Sequence, residues 1–177
     1  MWRKRIDLNE LKERIIKDVD KARERTMNRA VKLLAAKPRS IGELRERLLE
    51  KVWTNAEIVN LVLEKLKEYG YLDDQKYAVD LALSKLRQKP QGKRRLQQAM
   101  SQKKLDRETL DSAIASAFEK MPEIELINRA IEKRLRIKGR PESRDDTKKF
   151  YDYLIRQGFG FDLIRDKMTE VAKFHDE

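Results

Sequence analysis

The sequence predicts an all-α protein: three tandem three-helix repeats in an elongated, curved array, preceded by an N-terminal helix. Three observations carry this expectation. Apolar residues recur at three- and four-residue spacing, as a helix with one buried face requires, and alternating runs bounded by hairpin turns do not occur. Six Gly and four Pro interrupt a chain rich in the good helix formers Leu, Lys, Arg, Glu and Ala. The chain also repeats itself. The shift of 52 residues that sets Pro38 on Pro90 pairs Ala30 with Ala82, Leu44 with Leu96, Leu48 with Met100, Trp53 with Leu105, Ile58 with Leu110 and Val62 with Ile114. A third copy begins at Asn128-Arg129-Ala130-Ile131, echoing Asn28-Arg29-Ala30-Val31. In it Phe150, Leu154, Phe159 and Ile164 keep the spacing of Leu96, Met100, Leu105 and Leu110. The copies register with about five extra residues between Lys138 and Asp145. Units this small bury too little alone and lean on their neighbours, hence the array.

The leading helix is expected from Leu8 to Arg25, opened by the capping box Asp7-Leu8-Asn9-Glu10, with Leu8, Leu11, Ile15, Val19 and Ala22 as its apolar stripe packed on the first unit. In the first repeat, a helix over Thr26–Lys37 ends at Pro38, because proline disfavours a helical residue before it. Ser40-Ile41-Gly42-Glu43 has the form of a capping box for a helix to about Lys51, and Thr54-Asn55-Ala56-Glu57 repeats the form for one to Tyr69, stopped by Gly70. In the second repeat, Asp73 or Asp74 opens a helix to Gln88, Pro90-Gln91-Gly92 breaks it, Lys93–Gln102 follows, and Asp106 caps Arg107–Lys120. In the third, Pro122 suits a first turn, Gly139 and Pro141 mark a loop, Gly158 ends the middle helix, and the last begins near Gly160 or Phe161. The domains expected are 1–25, 26–72, 73–121 and 122–177, the last including a tail.

Composition excludes several kinds of chemistry. Without Cys there is no disulfide framework, thiolate metal site or thiol nucleophile, which fits a reducing, cytoplasmic setting. No run of about 18 apolar residues is present, so no membrane-spanning helix is expected. The one imidazole, His175, is the third residue from the end and reads as a tail residue, and neither a phosphate loop nor a nucleophile elbow occurs. Asp73-Asp74 and Asp145-Asp146 could in principle hold Mg²⁺, but each stands at a predicted helix start, where carboxylates cap. An enzyme, a cofactor and a resident metal are not expected.

The charge is more telling. Lys and Arg number 42 against 31 Asp and Glu, a net +11. Between Leu81 and Leu105 stand Lys85, Arg87, Lys89, Lys93, Arg94, Arg95, Lys103 and Lys104, without one acid. The helix dipole accounts for Lys85, Arg87 and Lys89 at a helix C-terminus, but it disfavours Lys93, Arg94 and Arg95, which open a helix. An arginine-rich helix start presents donors to phosphate or carboxylate. Arg39, Arg45 and Arg47 hold the related part of the first repeat. Charge does not choose between nucleic acid and an acidic protein surface. Stacking aromatics are scarce, since Trp53, Tyr71, Phe118, Phe150, Phe159 and Phe161 fall at or beside expected core positions. The third repeat, with 13 cations and 12 acids, is nearly balanced.

Several segments together resemble the RecX regulatory proteins. Gly70-Tyr71-Leu72-Asp73-Asp74 with Tyr77-Ala78 is similar to that family's GYLDD segment, and Arg39-Ser40, Glu43-Leu44 and Arg47-Leu48 to its R-S-x-x-E-L stretch. Pro90-Gln91-Gly92 with Arg94-Arg95-Leu96 resembles its glycine-then-basic segment, and Arg156-Gln157-Gly158-Phe159 with Ile164 its closing R-x-G-F segment. The resemblance spans Met27 to Met168 and implies three three-helix repeats. It also implies a modulator of RecA, the recombinase that polymerises on single-stranded DNA; separately, the chain is expected to be a monomer. Such a modulator lies in the groove of the filament and inhibits its recombinase, ATPase and coprotease activities. The Lys85–Lys104 block is then the expected RecA or DNA contact. Two other readings remain: a helical protein that binds single- or double-stranded nucleic acid by itself, and a scaffold for an unrelated acidic protein.

Overall fold

The computed structural model describes residues 14–173, with side chains to residue 170. The predicted box at Asp7–Glu10, the apolar Leu8 and Leu11, and His175 lie outside the described residues. Within them the secondary structure is helical throughout: α1 Val19–Ala36, α2 Ile41–Leu49, α3 Ala56–Glu68, α4 Asp74–Gln88, α5 Lys93–Met100, α6 Arg107–Lys120, α7 Glu123–Lys138, α8 Arg144–Arg156 and α9 Phe161–Lys173. A single 3₁₀ turn, Ser101–Lys103, follows α5.

The local signals place most of these ends. Ser40 Oγ accepts from the Glu43 N–H while a Glu43 carboxylate oxygen accepts from the Ser40 N–H, so both halves of the predicted box form. Asp106 accepts from the Thr109 N–H and opens α6 at the expected residue. Gly70 (φ 73°) and Gly158 (φ 89°) supply the left-handed residue that ends α3 and α8. Two expectations are corrected. No separate leading helix ends at Arg25: residues 14–18 are not helical, Asp18 caps α1, and α1 runs unbroken from Val19 through Arg25 and Thr26 to Ala36. Ile15 and Val19 of the expected stripe are exposed, and of the described stripe residues Ala22 is the buried one. The cap of α3 is Asn55, not Thr54. Thr54 is buried because its hydroxyl accepts from Thr26 Oγ at 3.0 Å, an internal use that removes it from capping.

The chain divides into two compact units, residues 1–77 with 103–105, and residues 78–102 with 106–177. In the first, α1, α2 and α3 enclose Ala30, Leu44, Leu48, Val59, Val62, Leu63, Leu66 and Leu72. In the second, the repeat-related positions are buried again: Ala82 and Ala130, Leu96 and Phe150, Met100 and Leu154, Ile114 and Met168. Two aromatics depart from the core expectation. Tyr71 is exposed because the chain turns at Gly70, where the Tyr71 N–H bonds the Leu66 carbonyl and Leu72 goes inward instead. Phe161 lies at the surface with its ring edge on Tyr151, centroids 5.3 Å apart.

One joint is built twice. In the first unit the start of α2 rests on the turn after the 3₁₀ segment. Ser40 Oγ donates to the Lys103 carbonyl, and a Cβ on Gly42 would collide with the backbone of Lys104, itself a non-glycine residue at φ 53°. The Ile41 N–H donates to Asp74 Oδ1, 2.8 Å away in the first turn of α4. In the second unit the start of α5 rests on the turn after α8. The Gly92 N–H donates to the Gln157 carbonyl at 2.9 Å, and Gly92 packs directly on the backbone of Gly158. The Lys93 N–H donates to Glu123 Oε1, 3.0 Å away in the first turn of α7. Thus the middle helix of each of the first two repeats sets its N-terminus on the left-handed turn and the first-turn carboxylate of the next repeat. The Lys51 carbonyl, which matches Lys103 by the 52-residue shift, accepts from Arg14 at 3.0 Å, so a residue ahead of α1 stands there in place of a preceding repeat.

Glu43 is the polar centre of the first joint. It pairs with Lys103 Nζ at 3.1 Å and accepts from the Tyr77 hydroxyl at 3.0 Å. Burial works to raise its pKa, but the hydrogen bonds from Lys103, the Ser40 N–H and Tyr77 outweigh burial and hold the carboxyl below its ordinary value of 4.5. The same burial, together with the Glu43 charge, pushes the Tyr77 hydroxyl well above its ordinary value. A carboxyl depressed by folding contributes stability that is full above its unfolded pKa and is lost as pH falls through the folded value. Thermal melts from pH 7 downward should therefore show stability falling below about pH 4.5. In Glu43→Gln the protein should be less stable at pH 7, with that part of the pH dependence missing. A Gln variant that keeps the wild-type slope would remove Glu43 from this role.

Candidate functional site

The acid-free block does not form one surface, because its members divide by what they touch. Lys103 is committed to Glu43, and Lys104 to Glu46 at 2.7 Å. Arg95 donates through Nη1 to the Arg156 carbonyl at 2.9 Å and to Gln157 Oε1 at 3.2 Å, which makes it part of the second joint. In the first repeat, Arg47 pairs with Glu50 at 3.2 Å. Arg39 is half-buried in the first joint, where its charge favours the ionised form of Tyr77 and its Nε is buried without a hydrogen-bond partner. Lys85, Arg87, Lys89, Lys93, Arg94 and Arg45 carry no ion pair among the described residues, and all but the half-buried Lys85 are exposed.

Local sequence explains this placement. Pro90-Gln91-Gly92 ends α4 and lets α5 start at Lys93, so Arg87 and Lys89 leave the last turn of one helix just before Lys93 and Arg94 leave the first turn of the next. Gly92 caps α5 without a side-chain hydrogen bond, and no acid stands in the first turn of α5. Cations concentrated there lack the usual electrostatic reason for a helix start. Lys89 shows the consequence. Partial burial, then the charges of Arg95 and Lys133, lower its pKa below the ordinary lysine value. Lys133, exposed on α7, was not singled out in the sequence, where it lies 28 residues past the block in a repeat with nearly balanced charge. Only the fold brings it beside Lys89.

The carboxylate pairs stand at helix starts: Ser143 is the cap of α8, and Asp145 in its first turn lies 3.8 Å from Lys149. Asp73 accepts from the Lys76 N–H, Asp74 from the Ile41 N–H, and Asp146 from the Ser143 hydroxyl at 2.7 Å. Trp53 is half-buried, with the Arg25 guanidinium 5.0 Å from its ring centroid. No helix among the described residues is long and apolar enough to cross a membrane.

Fold and surface together define a tandem three-helix-repeat protein with a cationic face on its second repeat. Three family models match in order along the chain: RecX, first three-helix domain over residues 27–66, second over 73–114, and third over 122–168. The chain is 31% identical over 142 residues to "Regulatory protein RecX" of Pelodictyon phaeoclathratiforme, covering 80% of this chain and 86% of that one. It is 32% identical over 143 residues to the protein of that name from Chlorobium limicola, covering 80% and 86%. Among solved structures, RecX from Lactobacillus salivarius superposes with a TM-score of 0.76 at 18% identity, over 86% of this chain and 98% of that one, a likeness of fold. The chain belongs to the RecX family of regulatory proteins.

Proposed function

We propose that this protein is a non-enzymatic regulator that binds RecA filaments on single-stranded DNA, lies in their helical groove and lowers their recombinase, ATPase and coprotease activities. It acts in the cytoplasm as a monomer. The observation that carries the reading is the pair Lys93 and Arg94, exposed cations in the first turn of α5 that neither a partner nor the helix dipole explains, with the unpaired Arg87 leaving the last turn of α4 just before them. Family membership supports a regulatory role, because the relatives are named regulatory proteins. Contacts spread over neighbouring protomers would favour the assembled filament over free RecA through effective concentration.

The test is the DNA-dependent ATP hydrolysis rate of RecA, titrated with this protein under excess single-stranded DNA so that sequestration cannot mimic inhibition. The expected result is loss of activity at a small fraction of the RecA concentration. An unchanged rate at equimolar protein would overturn the filament reading and put independent nucleic-acid binding first.

A further inference from the structure

The two joints are built from equivalent residues, so they differ in ways that can be compared directly. Ser40 matches Gly92 at the start of the docked helix, and Lys103-Lys104-Leu105 in the receiving turn matches Gln157-Gly158-Phe159. In both, the first residue of the turn gives its carbonyl, to the Ser40 hydroxyl in one joint and to the Gly92 N–H in the other. Beyond that shared bond the two turns part.

Gly158 takes the left-handed conformation at φ 89°, where glycine meets no steric penalty. Lys104 takes it at φ 53° and is the one non-glycine residue with positive φ among the described residues. Phe159 is 1% exposed, whereas its counterpart Leu105 is half-buried. Gln157 is buried and accepts from Arg95, but Lys103 and Lys104 bind through charge, to Glu43 at 3.1 Å and to Glu46 at 2.7 Å. The Lys104 and Glu46 side chains are 47% and 51% exposed, so salt weakens their pair, while it leaves the apolar and backbone contacts of the second joint alone. The first joint is thus closed against backbone strain, by contacts that are partly screened.

The compact units mark the same segment. Residues 103–105 pack with the first unit, although residues 78–102 and 106–177 on either side belong to the second. Three residues held away from their chain neighbours can release without unfolding either core.

We propose that the first joint is a latch: the Lys103–Leu105 turn detaches from Ser40, Glu43 and Glu46 as a local event while the second joint stays closed. On release Lys104 leaves the left-handed region, Lys103 and Lys104 lose their acids, and the chain passes between the two units once, at Tyr77–Ala78 in α4. Glu43 and Glu46 are then masking groups for two cations of the acid-free block. An anion that pairs with both lysines favours the open form through its differential affinity for the two states. The masking role rests on reading that block as a contact surface; the latch itself does not.

The test is the rate at which a water-soluble N-hydroxysuccinimide ester acylates Lys103 in the full chain, mapped by mass spectrometry with the exposed, unpaired Lys93 as internal reference and no recombinase present. Relative to Lys93, Lys103 should react faster as salt rises. Lys104→Gly should slow it severalfold, about tenfold if the whole steric cost of the left-handed residue is recovered. A side chain that merely swings away from Glu43 would not respond to the backbone at the next residue. Glu46→Gln should speed the reaction of Lys103, although the partner of Lys103 itself is untouched. Lys104→Asn, which also tolerates the left-handed conformation, replaces the Gly variant if that one does not fold. Hydrogen exchange of the Gly92 N–H, bonded to the Gln157 carbonyl, follows the second joint and should not change over the same salt range. A Lys103 rate blind to both the Lys104 and Glu46 substitutions would overturn the latch, as would Gly92 losing protection in step with Lys103. RecA takes no part in these readouts, so filament inhibition can fail while the latch stands, and the reverse.

Discussion

Replacing Gly92 with Ala should cost on the order of 3 kcal/mol, the upper range for overpacking, because the obstacle is backbone and not a side chain that can swing away. A Cβ at Gly92 would fall on the carbonyl of Gly158 and the amide of Phe159. The Gly92 N–H, bonded to the Gln157 carbonyl, would have to withdraw to make room. At the usual size scaling this lowers the melting temperature by about 6–12 °C. Gly158→Ala attacks the same contact from the other side with a second cost, since at φ 89° an added Cβ is strained and would also meet the Arg95 amide at 2.5 Å. The two costs should not add, because once either residue has forced the surfaces apart the other has less to lose. Gly70→Ala is the control: φ is 73° but nothing lies within 4 Å, so only the conformational cost of about 1–2 kcal/mol remains. Urea denaturation of the four proteins checks this. A Gly92→Ala cost no larger than that of Gly70→Ala would mean the joint is not tight.

Gly92 also shows where sequence reasoning reached its limit. Its place after Pro90 predicts a break between helices, and the break is there. That it must be glycine for contact with a turn 66 positions further on was not legible, because a close approach depends on the partner surface. The motifs carrying the family resemblance behave alike. Ser40, Glu43, Asp74 and Tyr77 read as caps and pattern residues; Ser40 and Glu43 do cap α2, and all four also hold the first joint through Lys103, Glu43 and the Ile41 N–H. Helices, caps and core positions follow local spacing and were legible for that reason. Long cations are where local sequence says least about what a side chain touches. Lys103, Lys104 and Arg95 look the same in sequence as Lys93 and Arg94, and only residues up to 62 positions away distinguish a joint from a surface.

That distinction decides how the filament-binding reading is tested. Arg87→Glu/Arg94→Glu should raise the concentration giving half-inhibition of RecA ATP hydrolysis by roughly 100-fold, since losing two charge-assisted contacts at about 1.5 kcal/mol each totals about 3 kcal/mol. Neither side chain has a partner among the described residues, so melting temperature and helicity should stay close to wild type. Arg95→Ala should behave differently. It abandons the Arg156 carbonyl and Gln157, which lowers stability by about 1–3 kcal/mol and loosens the second joint, and any loss of inhibition should track the loss of fold. Arg45→Glu, an exposed cation on the first repeat, tests whether the effect is one of place or of net charge. If it weakens inhibition as much per charge as the second-repeat pair does, long-range attraction is acting and the turn between α4 and α5 is not a contact. If the pair is inert while Arg95→Ala is not, the joint rather than the surface is what RecA requires.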